Sequence, residues 1–271
     1  MNRLKCREIH EKTWCPEFFR DAVTEFLSTM WKLGVYRQAM DKMVAVIRAT
    51  HKKLVVDLCS GAGDYIPILR KQLAEELPDL PLKIYKTDLY PNKKFFDTGD
   101  EAVEYWQEPL AADEAFEKFD AVYCMFSALH HFDEADLEKM FRKAAQEKKI
   151  FMFFDISQRR WLTDIIPNIF LPGVMWIATL FVRKFTWKHL LFIYLLPIVP
   201  LITMIDGTIS RMKAYKLDEL KNILSKLCRE FPDYRFELCH QCLMGGLQKV
   251  TCVAGGCPEI VENESEKNNK K

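Results

Sequence analysis

The chain has 271 residues, of which 49% are apolar, 13% aromatic and 28% charged; that supply of core-forming side chains excludes a wholly disordered protein, and the length fits one elaborated domain. Lys plus Arg number 39 against 38 Asp plus Glu, a formal charge of +1, so the broad basic field that tracks nucleic-acid phosphates is excluded and nucleic acid is not expected as a partner. Nine scattered cysteines follow a start, Met1 to Glu8, that has no apolar leader; reduced thiols in a reducing cytoplasm are expected rather than a disulfide framework.

The first fifty residues carry helical periodicity. Ala22, Val23, Phe26, Leu27 and Met30 share one stripe, and Met40, Met43, Val44 and Ile47 share another, which predicts two amphipathic helices within residues 1–52. From Leu54 short apolar runs alternate with helical stretches: Leu54–Leu58, Leu82–Thr87, Ala121–Met125 and Ile150–Phe154. Alternation of this kind predicts an α/β, Rossmann-like doubly wound and mostly parallel sheet, here over residues 53–161.

That rhythm breaks after Trp161. Ile165–Val182 is 18 residues without a charge and Leu190–Ile205 is 16 more, both interrupted by prolines (167, 172, 197 and 200). Each run is shorter than the roughly 20 residues of a spanning helix, so residues 162–215 are expected to form an inserted hydrophobic helical hairpin that dips into one leaflet. Trp161, Trp176, Trp187 and the cations between the runs suit the interface. An unusually apolar core hairpin or an oligomer contact is the alternative. The expected location is the cytoplasmic side of a membrane, peripheral or monotopic. Residues 216–258 complete the core: a helix over Lys216–Cys228, then a β-hairpin of Tyr234–Cys242 and Leu247–Ala254 turning at Met244-Gly245-Gly246. The polar residues 259–271 read as a solvated tail.

One stretch carries most of the chemistry. Val55 to Tyr65 is an apolar strand running into a glycine turn that opens a helix; Gly61 and Gly63 permit the sharp turn and a close ligand approach. Twenty-five positions after Gly63 the next strand ends in Asp88, where doubly wound folds keep an acid for ribose hydroxyls. The third glycine of a dinucleotide fingerprint is replaced by Ile66, and Asp64 precedes the helix, so a ligand without phosphate is favoured.

With these residues the chain resembles the class I S-adenosylmethionine-dependent methyltransferases. Their first motif is matched by Asp57-Leu58-Cys59-Ser60-Gly61-Ala62-Gly63 and their ribose-binding acid by Asp88 in Thr87-Asp88-Leu89-Tyr90; a strand-end motif beside the cofactor is matched by Phe119 to Phe132, including Ser-x-x-His-His at Ser127 to His131. Leu247–Ala254 looks like the family's antiparallel last strand. The resemblance implies S-adenosyl-L-methionine as cofactor, held by Asp57, Cys59, Ser60, Gly61, Ala62, Gly63, Asp88, Leu89 and Phe126. Trp14-Cys15-Pro16, the apolar insertion and Asp206 to Tyr215 are similar to a bacterial branch with a hydrophobic insert. Ala111-Ala112-Asp113 stands where the family's adenine-contacting acid is sought and does not clearly supply it.

Methyl transfer from a sulfonium is an in-line displacement that mainly requires alignment and exclusion of water. A hydroxyl or thiol acceptor must also lose a proton, which makes His130 and His131, at the carboxyl end of their strand, the candidate bases; alternatively one caps the helix starting near Asp133 and the other fills a sheet–helix junction. Asp206, Arg211, Tyr215 and Trp14 are the candidate substrate residues, although Asp206 could instead cap a following helix and pair with Arg211. The resemblance further implies that residues 1–52 form an N-terminal helical lid, with Trp14, Phe18, Phe19 and Tyr36 over the cofactor; the alternative is that these aromatic side chains belong to the core. Cys239, Cys242, Cys252 and Cys257 have a spacing tolerable for zinc, but strand alternation separates Cys239 from Cys242, and no metal is expected. The expected function is membrane-associated methyl transfer to a lipophilic small molecule or lipid. The alternatives are a membrane-tethered cofactor-binding module without turnover and an NAD(P)-dependent oxidoreductase, the latter disfavoured by Ile66.

Overall fold

The computed structural model describes residues 3–257 apart from 33, 35, 157–158, 183–184 and 244–247; the tail at 259–271 and the turn at Met244-Gly245-Gly246 lie outside the described residues. Two helices open the chain, α1 (Glu17–Lys32) and α2 (Arg37–Thr50). Their stripes are buried as the spacing predicts, except that Leu27, at the margin of its stripe, is 46% exposed.

The α/β core follows as β1 (Leu54–Asp57), α3 (Ile66–Glu76), β2 (Lys83–Lys86), β3 (Val103–Tyr105), α4 (Ala112–Lys118), β4 (Val122–Phe126), α5 (Glu134–Gln146) and β5 (Ile150–Ile156). Then come α6 (Leu171–Thr179), α7 (Trp187–His189), α8 (Ile198–Lys213), α9 (Leu217–Glu230), β6 (Phe236–Leu243) and β7 (Gln248–Gly255). The seven strands lie in the order β3-β2-β1-β4-β5-β7-β6. Neighbours from β3 to β5 are parallel, and β7 runs antiparallel to both β5 and β6. This is a doubly wound order whose switch point lies between β1 and β4, completed by the antiparallel last strand.

Alternate residues of each strand feed two cores. Val55, Ile84, Val122, Cys124, Met152 and Phe154 pack with α2 and α3, while Val56, Tyr123, Met125, Phe151 and Phe153 pack with α5 and α9. All of β4 is buried, hence its unbroken apolar run. The strand β3 escaped the sequence reading because Val103-Glu104-Tyr105 is too short to display alternation.

The insertion is built from short helical pieces because its prolines sit where pieces begin. Pro167 and Pro172 open a 3₁₀ turn and α6, Pro197 caps α8, and Pro200 lies in the first turn of α8, positions that need no N–H donor. Helical structure begins at Trp161, before the charge-free run, so Trp161–Thr179 reaches 19 residues and is long and apolar enough to cross a membrane. The sequence had placed both runs below that length. The second arm is bent by 64° between Leu195 and Ile198. The hairpin is seated on α1: Met175, Ala178, Ile193, Val199 and Ile202 share a core with Ala22, Val23 and Phe26. Its other side exposes Leu162, Phe170, Leu180, Phe181, Trp187 and Leu195.

Candidate ligand site at the carboxyl edge of the sheet

Beyond Asp57 the chain turns through three left-handed residues, Cys59 (φ 55°), Gly61 (φ 52°) and Gly63 (φ 65°). A non-glycine residue in that region is strained, and a second, Ser127 (φ 53°), ends β4. The remaining non-glycine cases, His51 and Lys148, close helices, where the conformation is ordinary. The two strained tips therefore flank the switch point.

Gly61 N donates to Asp88 Oδ2 at 2.9 Å, and Asp88 Oδ1 accepts Tyr90 N at 2.8 Å. The glycine turn of β1 and the acid at the tip of β2 are thus one unit, and each carboxylate oxygen retains acceptor capacity. Tyr105 OH reaches Gly61 O at 3.3 Å, tying in β3. A Cβ on Gly61 would meet nothing within 4 Å, whereas one on Gly63 would lie 2.3 Å from Lys86 Cε and 2.9 Å from Ser60 Oγ. The shelf is open at Gly61 and backed at Gly63 by buried Lys86, whose Nζ donates to Ala62 O at 2.6 Å. Exposed Leu89 and Tyr90 stand beside Asp88.

Asp57 is fully buried beneath the turn and accepts the Tyr65 hydroxyl. Burial pushes its carboxyl up to about 7, against the pull of Tyr65 and Lys86. Its Oδ2 and Ser60 Oγ are buried without a hydrogen-bond partner among the described residues. Phe126 is packed among Tyr65 (4.3 Å), Phe154 (5.0 Å) and Trp31 (5.5 Å), because the α1–α2 junction lowers Trp31 and Tyr36 onto the strand tips, and it forms part of an aromatic wall there. Tyr36 OH hydrogen-bonds Ser127 Oγ.

A second polar group adjoins β4 and β5. His130 N and Nδ1 reach the Asp155 carboxylate at 2.7 and 2.9 Å. His131 Nδ1 lies 3.1 Å from both Lys213 Nζ and Glu11 Oε1. Neither histidine caps α5, since Asp133 does so through Asp136 N at 2.9 Å. Asp206 lies inside α8 and caps nothing: it accepts Ile9 N (2.5 Å), His10 N (3.0 Å) and His10 Nδ1 (2.9 Å). Tyr215 OH takes Arg3 Nη1 at 2.7 Å and donates to Phe132 O at 3.0 Å. Burial raises the Tyr36 hydroxyl, and Arg211, in the last turn of α8, is near enough to lower it against that stronger effect.

Other expectations fare differently. Trp14 is 66% exposed, its ring 5.8 Å from Lys12 Nζ, and takes no part in this network. Phe18 and Phe19 pack on Phe192 of the hairpin, at 5.9 and 5.2 Å, rather than roofing the turn. Asp113 pairs with Lys139 at 2.7 Å; the segment after β3 reaches Asp88 instead through Leu110 N at 3.0 Å. Cys239 and Cys252 face each other across β6 and β7, and the Cys242 side chain lies outside the described residues. Sequence reasoning missed Arg3, Glu8, Lys86 and Asp155, whereas Tyr36, singled out in the sequence, does lie at the strand tips, against Trp31 and Ser127. Only Asp155 carried a usable signal, an acid near a strand's carboxyl end like Asp88.

No family model matches the sequence, and no curated protein matches it. Among solved structures, an O-methyltransferase family protein from Burkholderia thailandensis is similar at 15% identity and a TM-score of 0.46, covering 83% of this chain and 56% of its own. A candidate O-methyltransferase from Nostoc punctiforme follows at 13% and 0.49, covering 93% and 64%. The magnesium protoporphyrin IX methyltransferase of Synechocystis, solved with S-adenosylhomocysteine, is similar at 12% and 0.43, covering 91% and 90%. The chain thus spans 56% and 64% of the length of the first two. Its own strand order and antiparallel β7 define a Rossmann-like, doubly wound sheet.

Proposed function

We propose that this chain is an S-adenosylmethionine-dependent methyltransferase that works at the cytoplasmic face of a membrane on a lipophilic small molecule or lipid. The observation that carries the reading is the hydrogen bond from Gly61 N to Asp88 beside a shelf on which a Cβ would find open space. The residues fit the cofactor: Asp88 has spare acceptor capacity for ribose hydroxyls, and Asp57 Oδ2 and Ser60 Oγ are buried polar atoms with unused hydrogen-bonding capacity beneath the turn. Bound there, the cofactor supplies an electrophilic methyl group. The protein's share is to hold the nucleoside on the turn, exclude water with the Trp31, Tyr36 and Phe126 rings, and orient the acceptor.

Lipophilicity of the acceptor rests on the exposed apolar side of the hairpin. A cavity of about 340 Å³ lies between Phe181 of the hairpin and Asp64 beside the glycine turn; its lining is mainly polar and charged (Asp21, Glu25, Lys32, Lys94), so it adds nothing to the case for an apolar acceptor.

Equilibrium binding of radiolabelled S-adenosylmethionine against a nicotinamide dinucleotide tests the cofactor. Asp88→Ala should lose the charge-assisted contacts to the ribose, about 1.5 to 3 kcal/mol or roughly tenfold or more in affinity; unchanged affinity removes Asp88 from the site. Turnover is tested by mixing protein, cofactor and a membrane extract and following S-adenosylhomocysteine. Binding without product would favour the tethered, non-catalytic module.

A further inference from the structure

The segment from Arg3 to Pro16 crosses the carboxyl edge of the sheet as a strap. Arg3 fastens one end, donating to Lys213 O at 2.6 Å, His130 O at 2.8 Å and Phe132 O at 2.5 Å, and Asp206 holds Ile9 and His10. Between these anchors Glu8 is buried, 4% exposed, with Oε1 taking Ser210 Oγ at 2.8 Å and lying 3.4 Å from Lys213 Nζ and 3.6 Å from His130 Nε2. The two ring nitrogens of His130 therefore each face a carboxylate, Asp155 on Nδ1 and Glu8 on Nε2. A neutral imidazole with its proton on Nδ1 would turn the Nε2 lone pair toward a buried anionic oxygen, a repulsive arrangement in a poorly solvated site.

We propose that Glu8 is a positioning residue: opposite Asp155 it holds His130 as an imidazolium, a fixed positive charge at the carboxyl edge, so that His130 is not the base that takes a proton from the acceptor. The ring faces Glu8 and Asp155, with the His131 ring beside it and Arg3 on its backbone carbonyl; one contact further out, Lys213 and His10 meet Glu8, Glu11 and Lys213 meet His131, and Asp206 meets His10. Burial would discharge the ring, but Asp155 and Glu8 outweigh it and lift His130 to about 9. A divalent cation would also suit Glu8, His130 and His131, whose ligand atoms lie within 4.8 Å of one another, yet the Lys213 ammonium already supplies positive charge there. The role in methyl transfer rests on the function proposed above; the charge state of His130 does not. It follows that an acceptor oxygen reaches the site already ionised, or loses its proton elsewhere.

The test is a nitrogen-15 NMR titration of the histidines in the full chain, without cofactor, for the native protein, Glu8→Gln and Glu8→Asp. The native His130 should carry protons on both nitrogens at neutral pH and titrate near 9. Glu8→Gln should lower its midpoint by about one unit or more, a tenfold loss of proton affinity, and Glu8→Asp should restore part of it. A native His130 that is neutral at pH 7.5 overturns the proposal even if Glu8→Gln fails to fold. So does a folded Glu8→Gln with an unmoved midpoint, or saturable zinc or manganese binding that Glu8→Gln abolishes. Where methyl transfer is measured, the native rate should show no histidine limb near neutrality, whereas Glu8→Gln should acquire one. Failure of transfer with the NMR result intact would sink the methyltransferase reading alone.

Discussion

The two glycines of the turn should fail in different ways when each is given a single methyl group. In Gly61→Ala the new Cβ meets nothing within 4 Å, so the folding cost is the left-handed backbone, about 1 to 2 kcal/mol, partly offset by about 0.4 to 1 from the stiffer unfolded chain. In Gly63→Ala the Cβ would sit 2.3 Å from Lys86 Cε. Lys86 must then give up its bond to Ala62 O while buried, adding about 1.5 to 3 kcal/mol for a charged hydrogen bond. With a urea dependence of roughly 3 kcal/mol per molar, Gly61→Ala should move the midpoint by about 0.5 M or less and Gly63→Ala by about 1 M. Equilibrium binding of S-adenosylmethionine should invert the order of surprise: the nearly native-stable Gly61→Ala should lose about tenfold or more, because its methyl occupies the shelf. Native affinity in Gly61→Ala, or a Gly63→Ala no less stable than Gly61→Ala, would refute the reading of the turn as a ligand shelf backed by Lys86.

Changing Phe170, Leu180, Phe181 and Leu195 together to serine removes exposed apolar side chains worth about 1.5 to 3 kcal/mol each when fully buried; the variant should stop co-floating with phosphatidylcholine–phosphatidylglycerol vesicles while keeping its fold by circular dichroism. Flotation equal to the native chain would count against the hairpin as the membrane anchor. Cys239, with the Cys252 thiol opposite it and Lys42 Nζ 3.3 Å away, is held down to about 6 by those two donors. Iodoacetamide should modify it with a midpoint near pH 6, and Lys42→Met should raise that midpoint; a midpoint near an ordinary thiol's about 8.5 would show that the cross-strand contact is not felt.

The parallel core was legible because four strands are long enough for their apolar runs to stand out, and the glycine turn because glycine and acid spacing reflect backbone geometry. Asp88 was singled out by that spacing, and in the structure its carboxylate accepts the Gly61 N–H. The polar network at β4 and β5 was only half legible. His130, His131, Asp206 and Tyr215 drew attention as polar residues in apolar surroundings, but their partners Arg3, Glu8 and Asp155 lie 25 to 212 positions away along the chain, and no local period encodes a contact of that reach. For the same reason Asp206 read as a possible cap, when an acid within a helix was serving the backbone of a distant strap. The rings around Phe126 were not legible, because a strand-tip position fixes where a side chain begins but not which rings descend on it from α1 and α2.

Asp57 shows how such a site trades stability for a poised charge. Its folded carboxyl is raised from 3.8 to about 7 by burial, so between those values the native state holds a proton that the unfolded chain has released. Stability must therefore fall as pH rises through this window, the reverse of a salt-bridged acid, by up to roughly 4 kcal/mol once both forms are ionised. The Tyr65 hydroxyl eases this cost, while Oδ2 stays unpartnered. Asp57→Asn keeps the shape and removes the titration. Comparing urea midpoints at about pH 5 and pH 8, the native chain should lose roughly 3 kcal/mol more than the variant. Parallel losses in the two proteins would mean that Asp57 is ionised and satisfied throughout. In that case the buried acid beneath the turn would be an ordinary structural hydrogen-bond acceptor, and the reading of its Oδ2 as unused hydrogen-bonding capacity would fail with it.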